Sequence, residues 1–460
     1  MGSGWAAVVY AGLCGVLWIV PVFDRLQVES AATIAGVGFI TAGLIALTSF
    51  RNGTPFGREL WRQLAILFVP LVLMSLAAAW APNCTYGQGL AFFGLFVVPS
   101  VGLAVALAWG VAASPLRHKK GAFVAVGFLL ALVPVVYDLG FHPQFYTYNP
   151  VFGGILGPIY DEELTIRSGL IVHRGMTLLL AALAYLTGEA FRGVRRPMAL
   201  AVVGAVWLVG FLGAPRLGIV ATPAQLAWAL GNVATTDHFE IHYDSASVTS
   251  SDLRAIAEDH EFRYAVLARR LGVEVPGRIA TYLYPDADTR ARLTGARYTN
   301  VAPVWLRRPQ MHLLLDAYSD VFSHELAHVF SREFGVPGLR ASLSVGLVEG
   351  FAEAMEAPAG RPTLHEQVLA AATSAGASEE APLALSADAL AGRLSPLGFW
   401  TGRGAVSYAM MGSFVAYLIE AYGIDRFKRV YARADFERVY GKPIDALAQE
   451  WADLLRRLPS

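Results

Sequence analysis

The chain has 460 residues, 55% of them hydrophobic and 16% charged, whereas a soluble protein carries about 25% charge. Its formal net charge is +0, which leaves no case for nucleic-acid binding. Cys14, inside an apolar run, and Cys84, in a short loop, are too few for a disulfide framework or a cysteine metal site.

Charged residues are sparse before about residue 215 and ordinary after it. That shift predicts a membrane protein in two parts. An all-α transmembrane bundle occupies 1–215 and a linker 216–237; an extracytoplasmic α+β domain ending in a helical subdomain occupies 238–460. A span needs about 20 mostly apolar residues. Seven stretches are candidates: 5–23, 30–50, 63–81, 88–112, 121–139, 169–190 and 198–215. The first lacks the basic start and the small-residue cleavage site of a signal peptide, so it reads as a retained span. Arg51, Arg58 and Arg62 follow the second, Arg117, Lys119 and Lys120 the fourth, and Arg192, Arg195 and Arg196 the sixth, while the alternate loops hold only Arg25 and Arg167. Basic loops stay cytoplasmic. The N-terminus is therefore expected inside the plasma or inner membrane, and everything after Pro215 outside it.

Seven spans read either as an anchor or as something more. His173 and Arg174 sit just inside the sixth. Arg174 is expected to snorkel to the interface or to pair with the acidic loop Asp161-Glu162-Glu163; a transport or sensing role is the alternative, because charges at membrane depth are costly.

In the second part, His238 to Asp244 (HFEIHYD) alternates with period two and reads as a strand. Phe239, Ile241 and Tyr243 would face the core, and His238, Glu240 and His242 a solvated face. A helix is expected over Ser250–Leu271, capped by Ser250 or Ser251, then strands over Arg278–Tyr284 and Met311–Leu315. Further helices are expected over 319–334, 345–355, 364–373, 404–421, 425–432 and 443–457.

The helix at 319–334 carries His324-Glu325-Leu326-Ala327-His328. Histidines at i and i+4 project from one helix face, and two imidazoles so placed can share a zinc ion at about 2.0–2.1 Å each. Glu325, rotated about 100° from His324, points beside the ion and can take a proton from water that the ion has acidified. The plainer reading is an amphipathic helix with two incidental histidines. A third ligand is needed, and Val348-Glu349-Gly350-Phe351-Ala352-Glu353 offers two acids on one face of the next helix. One can ligate while the other holds a free ring nitrogen; otherwise the pair joins Glu356 in a solvated acidic face.

These residues resemble the gluzincin metallopeptidases, the thermolysin-like zinc proteases. The likeness covers roughly 238–455. It rests on HELAH at 324–328 and EGFAE at 349–353, with HFEIHYD similar to the family's opening strand and Tyr408–Gly423, YAMMGSFVAYLIEAYG, to its C-terminal helix. It implies a zincin-like fold with one catalytic Zn2+ held by His324, His328 and Glu349. Glu325 would be the general base, and Glu353 the acid behind His324. Tyr408 resembles an oxyanion-stabilising tyrosine of related aminopeptidases, although Gly412 lies four positions on rather than three; a packed core tyrosine is the other reading. By the same resemblance a protein or peptide substrate would add as a strand along Met311–Leu315. The expectation is a membrane-anchored zinc endopeptidase acting on extracytoplasmic or membrane-proximal segments. Its rival is a non-proteolytic membrane sensor or transporter whose zinc domain only binds, and the presence of Glu325 favours the enzyme. An intramembrane protease is disfavoured, because HELAH lies far beyond the last span. The sequence sets no oligomeric state.

Overall fold

The computed structural model describes residues 3–157, 162, 164–356, 362–373, 387–395, 398–399 and 404–458. The chain divides into two units, Met1–Gln225 with Ala291–Thr299, and Leu226–Arg290 with Asn300–Ser460.

In the first unit five helical segments are long and apolar enough to cross a membrane: Val28–Arg51, Phe56–Ala79, Tyr86–Ala113, Lys119–Phe141 and Ser168–Phe191. They correspond to the second through sixth expected spans. The first and seventh apolar runs form helices of only 15 and 16 residues, Ser3–Leu17 and Pro197–Leu212. At 1.5 Å per residue these reach about 22–24 Å, against a hydrocarbon core of about 30 Å. Five spans are therefore supported and seven are not. In both runs the apolar composition continues past the helix: Val22 adopts φ 75° just after Pro21, and Gly213 and Pro215 follow the last one. The helices 28–51 and 86–113 supply most of this unit's buried apolar core. Gly43 lets the Phe123 ring in, since a Cβ there would fall 1.9 Å from it.

The segment after 141, where the sequence predicts only a loop, contains an antiparallel hairpin of β1, Tyr146–Asn149, and β2, Gly153–Leu156. Gly153 has φ 92°, a region that favours glycine, and a Cβ there would meet the Phe96 ring at 2.0 Å. Arg174 neither snorkels nor reaches Glu162. It is 2% exposed and donates to the carbonyls of Leu95, Phe96 and Asn149 and to Ser100 Oγ, at 2.7–3.0 Å. Glu162 instead accepts from the backbone N–H groups of Arg297, Tyr298 and Thr299. Asp161 and Glu163 lie outside the described residues. Both cysteines are free thiols.

Residues 216–237 contain a helix, Pro223–Leu230, and a strand, β3, Asn232–Thr235. The second unit's sheet adds β4, Phe239–Tyr243, β5, Ile279–Tyr284, and β6, Gln310–Leu314, in the order β3-β4-β5-β6. The first pair is antiparallel and the other two are parallel. Every residue of β5 is buried, as expected where a parallel strand is covered on both faces. The helix Ser250–Leu271 makes the crossover from β4 to β5. Its cap is Thr249, whose hydroxyl accepts from Asp252 N, not Ser250 or Ser251. Phe239 and Ile241 enter the core as expected. The opposite face of β4 is not simply solvated: His238 pairs with Glu261 at 2.6 Å, Glu240 with Arg308 at 2.5 Å, and His242 is buried and stacks on Tyr282.

His260, fully buried on the crossover helix, stacks on Tyr318 and meets Ile256 O through Nδ1. Burial pushes its pKa down to about 4. The folded state thus resists a proton that the unfolded chain accepts near pH 6.5. The stability this represents, roughly 3 kcal/mol, is present above pH 6.5 and is lost as pH falls towards 4. His312, buried on β6 and also held neutral, adds to the slope. Acid unfolding of the detergent-solubilised chain, followed by circular dichroism, should therefore become less pH-dependent between 6.5 and 4 in His260→Phe. An unchanged slope would place the acid sensitivity elsewhere.

Candidate metal centre

The helix Tyr318–Ser331 anchors itself through Phe322, Leu326, Val329 and Phe330, all buried in the second unit's core. His324 and His328, one turn apart, bring their ring centroids within 4.8 Å. The helix Val345–Met355, capped by Ser344 accepting from Leu347 N, delivers Glu349 and Glu353. Two close approaches to the helix Gly404–Tyr422 hold it in place. A Cβ on Gly350 would lie 2.6 Å from Met411 O, and one on Gly412 would lie 2.6 Å from Glu353 Cβ. The positioning role of these glycines is not visible in the motifs; the only sequence signal is glycine inside two otherwise good helices, where it costs about 1 kcal/mol against alanine.

Glu349 Oε2 lies 3.4 Å from His324 Nε2 and 3.6 Å from His328 Nε2, and the three ligand atoms all lie within 4.8 Å of one another. These separations exceed good N–H···O bonds. They fit ligands surrounding one small cation, because two bonds of about 2.0–2.1 Å at a tetrahedral angle put their donor atoms roughly 3.4 Å apart. Glu353 Oε1 stands 3.5 Å from His324 Nδ1, on the other side of that ring. Glu325 is 5% exposed, and its Oε2 is buried with no hydrogen-bond partner. The same holds for His328 Nδ1. A buried carboxylate oxygen left without a partner is costly, and it faces a use if water or substrate completes the site. Two imidazoles and one carboxylate also make a suitable donor set for zinc.

Burial works against a charge on His324. The Glu349 carboxylate at its ring and the charges of Glu325, Glu349 and Glu353 outweigh it and push the pKa up to about 9. Burial raises the Glu325 pKa, which makes it a stronger base. For Glu349 burial is overcome by the two imidazoles, which hold the carboxyl well below its usual range. Burial also leads Glu353 upward. A cation entering this set would take over the work of the His324 proton.

A second group, His324, Glu353 and Glu356, could also hold an ion. It offers one imidazole and two carboxylates rather than two imidazoles and one, so the first set suits zinc better. Neither His238 nor His242 belongs to a metal-capable group among the described residues. Tyr408 is part-buried, with its ring 6.2 Å from that of His324 and 5.2 Å from that of Phe399. The strand β6 ends its sheet, but its outer side is occupied. Val301 bridges His312 in antiparallel sense, with bonds of 2.9 and 3.2 Å, and Asn300 Oδ1 accepts from Leu314 N. A peptide strand would have to add beyond Val301 rather than directly on β6.

The helices and the cluster together define a multi-span membrane protein with an α+β part that carries residues able to hold a metal ion. No family model and no curated protein matches the chain.

Proposed function

We propose that the chain is a membrane-anchored zinc endopeptidase that hydrolyses peptide bonds in extracytoplasmic or membrane-proximal protein segments. The observation that carries this reading is the spacing of His324 Nε2, His328 Nε2 and Glu349 Oε2 beside the buried, partnerless Glu325 Oε2. A gluzincin-like catalytic domain is the corresponding family proposal. Zinc, when bound, supplies Lewis acidity to the substrate carbonyl and to the attacking water. His324, His328 and Glu349 hold the ion. Glu325 accepts the proton of the attacking water and delivers it to the departing amine. Glu353 fixes the His324 ring through Nδ1, and Tyr408 donates to the carbonyl oxygen as negative charge develops there. Quantitative proteomics of membrane and shed fractions, comparing wild type with Glu325→Gln, tests the activity. Fragments that accumulate only with the wild type support it, whereas bound zinc with no cleavage across a broad peptide library favours a binding-only role.

Tyr408→Phe keeps the ring and removes the hydroxyl. If the hydroxyl stabilises the oxyanion, turnover of a cleavable peptide should fall about 10²–10³-fold with little change in KM. An unaltered rate would leave Tyr408 a packing residue against Phe399.

The proposed topology keeps the N-terminus and the three basic loops in the cytoplasm. With a helix of only 16 residues at Pro197–Leu212, the compartment of the second unit turns on whether that helix crosses. Reporter fusions after Gly57, Lys120 and Arg196 should report cytoplasm, and one after Ser460 the outside. A cytoplasmic report at Ser460 would mean that the short helix does not cross and would move the peptidase to the other compartment.

A further inference from the structure

The second unit is interrupted in sequence. Ala291–Thr299 belongs to the first unit, and the chain re-enters the second at Asn300. The first unit holds this segment at both ends. At its start, Arg167 Nη1 donates to the carbonyls of Ala291 and Arg292 at 3.0 and 3.4 Å, and the same guanidinium lies 4.2 Å over the Tyr146 ring. In its middle, Phe145 N donates to Thr294 O at 2.9 Å. Gly295, at φ 93°, passes the Tyr146 ring where a Cβ would fall 2.6 Å from it. At its end, the Glu162 carboxylate accepts from the backbone N–H groups of Arg297, Tyr298 and Thr299 at 2.6–3.0 Å. Bonds from N–H groups to a carboxylate are roughly twice as strong as neutral ones.

The residues just outside these two holds carry the edge of the sheet. Arg290, fully buried, precedes Ala291, and Asn300 follows Thr299. Arg290 Nη1 donates to Asn300 Oδ1 at 3.1 Å, and Leu314 N of β6 donates to the same oxygen at 2.9 Å. Val301 then exchanges both backbone bonds with His312. In such a pair the N–H and C=O groups of the flanking residues, here Asn300 and Ala302, turn away from β6, to the side where a further strand adds. Leu314 in turn ends β6 just before Tyr318, where the helix of His324 and His328 begins.

We infer that Glu162 and Arg167 are positioning residues of the peptidase: by fixing Ala291 and Thr299 they fix Asn300–Ala302 on β6 as the edge that receives an extended peptide substrate. Two side chains of the membrane unit then set substrate affinity, which an anchor alone would not do. The substrate role rests on the peptidase reading; the hold on the edge does not.

The test uses the full chain in nanodiscs and compares wild type with Glu162→Gln, Arg167→Ala and Arg167→Lys. Hydrogen exchange at the amides of Val301, His312 and Leu314 should be about tenfold faster in Glu162→Gln and Arg167→Ala, with the amides of β5 unchanged. Arg167→Lys, which keeps a donor for Ala291 O, should recover part of the protection. Metal analysis should find about one zinc per chain in all four proteins. KM for a cleavable peptide should rise about tenfold in the two loosened variants, with kcat within about twofold of wild type. If Arg167→Ala does not fold, Glu162→Gln carries the test. Faster exchange at Arg297–Thr299 with wild-type rates at Val301, His312 and Leu314 would overturn the hold on the edge. An unchanged KM in a variant whose edge is loosened would overturn the substrate role. Were the wild type to cleave no peptide, the peptidase reading would fail and the substrate role with it, while the exchange rates would still decide whether Glu162 and Arg167 hold the edge.

Discussion

His328→Ala is expected to lose both bound zinc and peptide cleavage, while Glu325→Gln keeps about one zinc per chain and loses cleavage alone. The difference follows from position. His328 Nε2 is one of three atoms grouped tightly enough to share an ion, and two remaining ligands hold zinc poorly. Glu325 belongs to neither metal-capable group; as an amide it can no longer take a proton from water. Glu353→Gln should fall between them, weakening zinc about 10–100-fold by loosening the His324 ring. Gly412→Ala should also weaken zinc without touching a polar group, because the added methyl would lie 2.6 Å from Glu353 Cβ, an atom fixed to its backbone, and must push the two helices apart. Metal analysis of the purified proteins, paired with a peptide-cleavage assay, separates these outcomes. Full zinc occupancy in His328→Ala, or undiminished cleavage by Glu325→Gln, would sink the assignment of roles.

The parts of the molecule that were legible in the sequence are those whose signal is local. The helices Val345–Met355 and Leu364–Thr373 fall where periodicity and flanking residues place them, and the close grouping of His324, His328, Glu349 and Glu353 follows from two i, i+4 pairs on successive helices. The strand β3 was not legible. Asn-Val-Ala-Thr is four residues long at a sheet edge, and its polarity does not follow its burial, since Val233 is exposed and Asn232 half-buried. The hairpin β1–β2 lacks the Asn-Gly or Asp-Gly turn that announces such pairs; its turn runs through Pro150 and ends at Gly153, whose φ is 92°. Apolar content could not say where the first and last apolar helices of this unit stop, because hydrophobicity continues past the backbone breaks at Val22 and Gly213. The fate of Arg174 was hidden for a different reason. Snorkelling is a default for an isolated helix end, and it loses when a neighbouring helix offers buried carbonyls.

The Leu95 carbonyl is available because of Pro99, which lies inside the helix Tyr86–Ala113. Proline has no N–H, so the Leu95 carbonyl one turn earlier loses its helical donor. Arg174 Nε donates to that oxygen at 2.7 Å, while Nη2 takes the adjacent Phe96 carbonyl and Ser100 Oγ, and Nη1 reaches Asn149 O in β1. One guanidinium thus repairs a proline break and ties three elements together where no water can substitute. Arg174→Ala should destabilise the membrane unit by several kcal/mol, at about 1–3 kcal/mol for each buried acceptor left bare. Arg174→Lys should recover only part, since an ammonium cannot match the planar fork. Adding Pro99→Ala to Arg174→Ala should restore roughly 1 kcal/mol or more, because the new N–H can close the helix onto Leu95 O, whereas Pro99→Ala alone should gain less, with that oxygen already bonded to Arg174. Unfolding of the four detergent-solubilised proteins of this cycle in denaturant gives the coupling directly. Strictly additive effects of the two substitutions would show that Arg174 does not act on the proline site.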